Sequence, residues 1–171
     1  VFLTYCVLEY EIIETNPMIG AKLKLKENEP RKRWLKELDE RLTLLNTCRN
    51  MDYELYLCVL IALTTGARKS ELFLKWGNVD LENKAIYFLN TKNGEDRTIP
   101  IPESLYTELK AFREQNKVKR FKNGYIFKTP DGKPKESLIN ELYPEVVSNC
   151  NFEKITFHGL RHTYISIASL L

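Results

Sequence analysis

At 171 residues, with 43% hydrophobic and 29% charged side chains, the chain can bury one sizeable core and is neither fibrous nor disordered in composition. Its longest apolar run, 56–63, is far too short to span a bilayer, and no signal-peptide pattern opens it, so no membrane partner is expected. Net charge is only +3, yet basic residues gather at Lys22, Lys24 and Lys26, at Arg31, Lys32 and Arg33, and at Lys117, Lys119, Arg120 and Lys122. Such local patches matter to a polyanion, although each also reads as a solvated helix end or loop.

In chain order, residues 1–15 read as the end of a helix, redirected by Asn16-Pro17. Residues 18–30 are basic and without period, a linker or a partly ordered arm. Leu35, Leu38, Leu42 and Leu45 recur at helical steps and predict a helix over 34–46. A second helix, 52–63, starts on the cap residue Asp52 and is apolar enough to be central. After a break at 64–66, a helix is predicted from Arg68 to about Trp76, with Trp76 in the core.

Residues 77–80 carry turn chemistry and a short strand, and 85–90 are rich in strand formers. The Asn-Gly turn in 91–96 and a returning strand at 97–101 complete a hairpin with Lys92 at its tip. A helix follows at 103–115, then a short strand at 125–127 before the turn at 130–132. Residues 137–149 are partly helical despite Pro144, and a last helix, capped by Thr156, carries His158 and runs to the end of the chain. The class is α+β, mainly α-helical with a small antiparallel β-sheet.

Cys6, Cys48, Cys58 and Cys150 show neither disulfide nor metal spacing, and only two His are present. They read as reduced, mostly buried thiols of a cytoplasmic protein, with no metal and no cofactor expected. The chain opens at Val1 and closes at Leu171, each inside an apolar pattern, so it reads as a piece of a longer protein.

Four groups stand out: Arg68, Lys92, His158 and Arg161. Arg68 follows a Thr-Gly break where a helix is expected to start, a place where backbone N–H groups favour an anion. Glu71, three residues on, can orient its guanidinium, or can merely pair with Lys75. His158 and Arg161, at i and i+3, share one helix face. Two guanidiniums, an ammonium and an imidazole suit a phosphodiester whose charge grows in the transition state. The Arg forks would take its non-bridging oxygens, and a hairpin-tip Lys could protonate a leaving 5′-oxygen. Singly, each has a plain alternative: a solvated Arg or Lys, a capping or core His.

The segments T-G-A-R-K-S-E-L-F-L-K-W-G-N-V-D, T-K-N-G-E-D-R-T-I-P-I and F-H-G-L-R-H-T, in this order, resemble the catalytic domain of the tyrosine recombinase (phage integrase) family. The resemblance covers about 31–171 and implies the DNA breaking-rejoining enzyme fold, cut short at its C-terminus. Residues 1–30 resemble the end of the family's core-binding domain and its linker. By the same resemblance Arg68 and Arg161 are phosphate-binding catalytic residues, Lys92 the mobile general acid and His158 the His of the H-x-x-R box. Glu71 and His162 are supporting residues.

The family's later His or Trp and its nucleophilic Tyr would fall beyond Leu171. Tyr164, Tyr87, Tyr106, Tyr125 and Tyr143 are better read as packing. The resemblance implies double-stranded DNA as partner, a tetramer of the whole protein on DNA, a monomeric fragment and a covalent 3′-phosphotyrosyl intermediate formed without metal or nucleotide. The fragment itself should bind DNA without cutting it. A non-catalytic DNA-binding protein of the same fold is the alternative. A metal-dependent nuclease is disfavoured because no ordered carboxylate set accompanies the Arg and His groups.

Overall fold

The computed structural model describes residues 8–10, 12–16, 33–89, 96–116 and 123–170. The backbone divides into two compact units, Val1–Arg31 and Lys32–Leu171. In the first, residues 12–15 form bends, so the helix read over 1–15 does not continue there. Proline at 17 disfavours helical backbone in the residue before it, in line with that ending. The expected linker, 18–30, and Cys6 lie outside the described residues.

The second unit is mainly helical, with a three-stranded antiparallel sheet. It runs α1 (Leu38–Met51), α2 (Tyr53–Thr65), 3-10 turns at Lys69–Leu72 and Trp76–Asn78, β1 (Val79–Asp80), β2 (Ala85–Phe88), β3 (Arg97–Pro100), α3 (Glu103–Gln115), a π-helical turn Leu138–Leu142, α4 (Tyr143–Asn149) and α5 (Phe157–Ala168). Among the described residues no helix is long and apolar enough to cross a membrane.

Helix α2 is the hub. The Asp52 carboxylate accepts the Leu55 N–H at 2.9 Å and fixes its start. Every residue from Leu55 to Ala62 is buried, as a helix apolar on all sides must be. Helices α1, α3 and α5 and the π turn pack around it. It ends at Gly66, whose φ of 61° is left-handed.

Helix α1 begins and ends later than 34–46. The Leu35 N–H donates to Thr163 Oγ1 of α5 at 2.9 Å, residues 33–36 take no helical turn, and Leu35 is buried outside any helix. Removing Leu35 from the helical count changes the face. Leu44 and Cys48 point into the core, whereas Leu38 and Leu42 are 59% and 46% exposed.

In the sheet β2 is central, with Val79 opposite Ile86 on one side and Phe88 opposite Arg97 on the other. Pro100 sits in β3, an edge strand, where its missing donor is tolerated. The turn expected at 91–96 lies outside the described residues apart from Asp96, and Lys92 with it.

The segment 125–127 is not a strand. It makes one bridge, Lys75 to Tyr125, closed by Trp76 N–H on the Gly124 carbonyl and Ile126 N–H on the Leu74 carbonyl. The Leu74–Asn78 stretch holds no further pairing positions in register, because Trp76 already turns into a 3-10 helix. Trp76 is buried and stacks on Phe112 of α3, as its core reading required. Around Pro144 the helix widens: Tyr143 N–H reaches back five residues to the Leu138 carbonyl. That π turn relieves the clash a proline ring would make with the preceding turn of a regular helix. Thr156 Oγ1 accepts the Gly159 N–H at 3.3 Å and caps α5. Cys48, Cys58 and Cys150 are free and buried. Burial pushes the Cys48 thiol up to about 12, which makes it inert at neutral pH.

Candidate phosphate-binding site

The expected helix from Arg68 to Trp76 is a single 3-10 turn, Lys69–Leu72, that breaks at Phe73. The reason is local. Glu71 folds back so that its Oε2 accepts the Arg68 N–H at 2.6 Å, which closes a tight turn rather than starting a longer helix. The first backbone donor is therefore spent on a carboxylate, and a four-residue turn offers no helix-terminal anion site. What can meet an anion here is side chains.

Arg68 has extended backbone and a side chain 29% exposed. Its Nη1 donates to Glu71 Oε1 at 2.9 Å, the orienting contact the spacing predicted. Glu71 does not turn to Lys75. Its second partner is Arg97 at the start of β3, with Nη1 on Oε1 at 2.8 Å and Nη2 on Oε2 at 2.6 Å. Only 9% of the Glu71 side chain is exposed. Burial by itself would raise its carboxyl, but the bonds from Arg97, the Arg68 N–H and the Arg68 guanidinium override that and hold it down to about 2.

Helix α5 supplies the opposite wall. Arg161 Nη1 donates to the carbonyl of Gly66, two residues before Arg68, so residues ninety-three positions apart converge at one corner. Gly66 is required there twice over. Its φ is left-handed, and a Cβ would stand 2.3 Å from Cδ1 of Tyr164. Tyr164 thus packs over the Gly66 backbone, half-buried, as the sequence reading placed it. Tyr143 is buried, and Tyr87, Tyr106 and Tyr125 are half-buried, in keeping with packing roles.

His158 is exposed on α5, one turn from Arg161. The ring of His162 meets it edge-on, centroids 4.9 Å apart and planes at 86°. Desolvation, His162, Arg161 and Arg68 together lower the His158 pKa, which favours the neutral imidazole at pH 7. Desolvation and the neighbouring Arg68 and Arg97 push the Arg161 guanidinium the same way, although it stays charged. Arg68, Arg97 and Arg161 face one carboxylate, Glu71, so cations exceed anions at this corner. Such an excess, beside a neutral imidazole able to exchange a proton, suits an oxyanion such as a phosphodiester.

Of the residues singled out in the sequence, Arg68, Glu71, His158, Arg161 and His162 are brought together, while Lys92 lies outside the described residues. Arg97 was missed. Its only signal was an Arg opening a strand directly after a hairpin turn. Lys69 Nζ also reaches Asn140 Oδ1 of the π turn at 2.6 Å, a contact no local pattern announced. Among the described residues no group of three or more His, Cys, Asp or Glu side chains is placed to hold a metal ion.

The model of the phage integrase family matches residues 34–167. A tyrosine recombinase, XerA of Pyrococcus furiosus, is 33% identical over 112 residues, which are 63% of this chain and 38% of that protein. The Tn1549 transposon integrase, solved in complex with transposon right end DNA, superposes with a TM-score of 0.75 at 21% identity, over 99% of this chain and 62% of that one. A lambda integrase tetramer bound to a Holliday junction gives a TM-score of 0.70 at 21% identity, over 98% and 50%. At those identities the two structures speak for the fold, which is that of tyrosine recombinase catalytic domains.

Proposed function

Because the chain belongs to the phage integrase family, we propose that it supplies most of the catalytic domain of a site-specific DNA recombinase of a prophage or other mobile element. Residues 1–30 then belong to the preceding DNA-binding domain and its linker, and 31–171 to the catalytic domain. The observation that carries this reading is the convergence of Arg68 and Arg161 on the Gly66 turn, with Arg161 on the helix that also carries His158.

Arg68 and Arg161 hold the non-bridging oxygens of one DNA phosphate and stabilise the charge that builds on them. Glu71 keeps Arg68 in place, and His162 steadies the His158 ring. A tyrosine beyond residue 171 attacks the phosphorus. The P–O5′ bond breaks as the P–O(Tyr) bond forms, and Lys92 gives its proton to the leaving 5′-oxygen. The reverse attack by another strand's 5′-hydroxyl completes the exchange, so phosphodiester energy is conserved without nucleotide or metal. His158, neutral at pH 7, is suited to take up and return a proton at the attacking oxygen. The reading includes a cytoplasmic protein that acts as a tetramer on double-stranded DNA, with the 171-residue chain alone monomeric.

The test is direct. The 171-residue chain should shift a duplex in a gel yet leave no covalent protein–DNA adduct after denaturation. The same chain extended along its reading frame past Leu171 should form that adduct, and lose it on Arg68→Ala or Arg161→Ala. Duplex binding with no adduct from any extended form would favour the non-catalytic DNA-binding alternative. Adduct formation by the 171-residue chain would overturn the assignment of the nucleophile.

A further inference from the structure

Consider what Glu71 would do with Arg68 as its only partner. A carboxylate and a guanidinium prefer two parallel N–H···O bonds, and a guanidinium held that way is neutralised and has one planar edge spent. That is not the arrangement here. Arg97 takes both Glu71 oxygens, at 2.8 and 2.6 Å. The Arg68 N–H takes Oε2 as well. This leaves the Arg68 side chain a single bond, Nη1 to Oε1 at 2.9 Å. Among the described residues Nε and Nη2 of Arg68 have no hydrogen-bond partner.

Arg97 is itself fixed. Its guanidinium lies over the ring of Phe88, 4.4 Å from the centroid, and Phe88 is its cross-strand partner in β2. Its fork is turned to Glu71, and the bond to Glu71 raises its pKa further.

We propose that Arg97 is a positioning residue: by filling the fork of Glu71 it makes that carboxylate a pivot for Arg68 rather than its counter-ion, and so keeps the Nε–Nη2 edge of Arg68 open to a phosphate oxygen. The proposal rests on the reading of Arg68 as a phosphate ligand. Arg97 acts through Glu71 and does not touch the phosphate. It also fastens the return strand of the β2–β3 hairpin to the Arg68 turn, so strand and turn move together.

The experiment uses the 171-residue chain, with inorganic phosphate as probe, followed by calorimetric titration and by the Nε–Hε resonance of Arg68. Arg97→Gln should weaken phosphate binding roughly tenfold and shift the Arg68 resonance as Arg68 closes on Glu71. Arg97→Lys keeps the charge and loses the fork, so it should recover only part, about threefold weaker than wild type. In a Glu71→Gln background, Arg97→Gln should add less than about a further twofold, because its route is already cut.

Wild-type affinity and an unmoved Arg68 resonance in Arg97→Gln, while Arg68→Ala and Arg161→Ala lose phosphate, would overturn the inference and leave the site intact. Losses that multiply in the double variant would place Arg97 on the phosphate itself and overturn it equally. Wild-type phosphate binding by Arg68→Ala and Arg161→Ala would instead remove the site reading on which the inference stands. Should Arg97→Gln not fold, Arg97→Lys decides alone: affinity equal to wild type refutes the positioning role.

Discussion

Two carboxylates organise polar clusters in this unit, and they do so to different ends. Glu108 of α3 accepts the hydroxyls of Tyr53 and Tyr56, at 2.5 and 3.2 Å, and pairs with Arg49 at 3.2 Å. Arg49 lies over both tyrosine rings. One anion meets one cation and both tyrosine hydroxyls, and the result staples α1, α2 and α3 together. Glu71 meets two guanidiniums, with a third, Arg161, at the same corner. The first cluster is closed and neutral. The second keeps positive charge in reserve, and charge held in excess within a folded protein is what a ligand of opposite sign can use.

That contrast can be broken at several points. The largest effect should come from Gly66→Ala, which forces a side chain into left-handed backbone and onto Tyr164. We expect a loss of about 3 kcal/mol in urea unfolding, with phosphate binding lost too, since the Arg161 anchor moves. Glu71→Gln leaves two half-buried guanidiniums without their anion and should cost about 2 kcal/mol by the same measurement. It should also weaken phosphate binding, because Arg68 loses its pivot. Glu108→Gln should cost only about 1 kcal/mol and leave phosphate affinity unchanged. If Glu108→Gln impaired phosphate binding as much as Glu71→Gln, the division into a closed and an open cluster would fail.

A pH dependence tests the same carboxylate. The Glu71 carboxyl is lowered from an ordinary 4.5 to about 2 in the folded chain. Its stabilising contribution is therefore complete above the unfolded value and drains away as pH falls from there towards the folded one. Chemical denaturation between pH 5 and 2 should show this acid limb in the wild type and a shallower one in Glu71→Gln. Parallel limbs in the two would show that Glu71 is not the group responsible.

Much of this was legible in the sequence where the signal is local. The Asp52 cap and unbroken apolar run of α2, the Leu105, Leu109 and Phe112 face of α3 and the Thr156 cap all act within one helix. Arg68, Glu71, His158, Arg161 and His162 were found because their order and spacing match a family. What escaped notice depends on partners far along the chain. Leu35 reads as helical until its N–H is seen to leave for Thr163, and with it goes the face that Leu38 and Leu42 were expected to bury. The turn after Arg68 reads as a helix until Glu71 closes it. Arg97 lies twenty-six residues from Glu71, across a hairpin, and no period in the sequence connects them.

The bond from Leu35 to Thr163 has a mechanical side. Thr163 is fully buried and lies two residues beyond Arg161. The chain entering the unit is thus tied directly to the helix that carries His158 and Arg161. Tension arriving along the polypeptide from upstream would be shared between α1, through the Arg33–Glu40 pair, and α5, through this bond, and on α5 it would act between Arg161 and Tyr164, the two residues that touch Gly66.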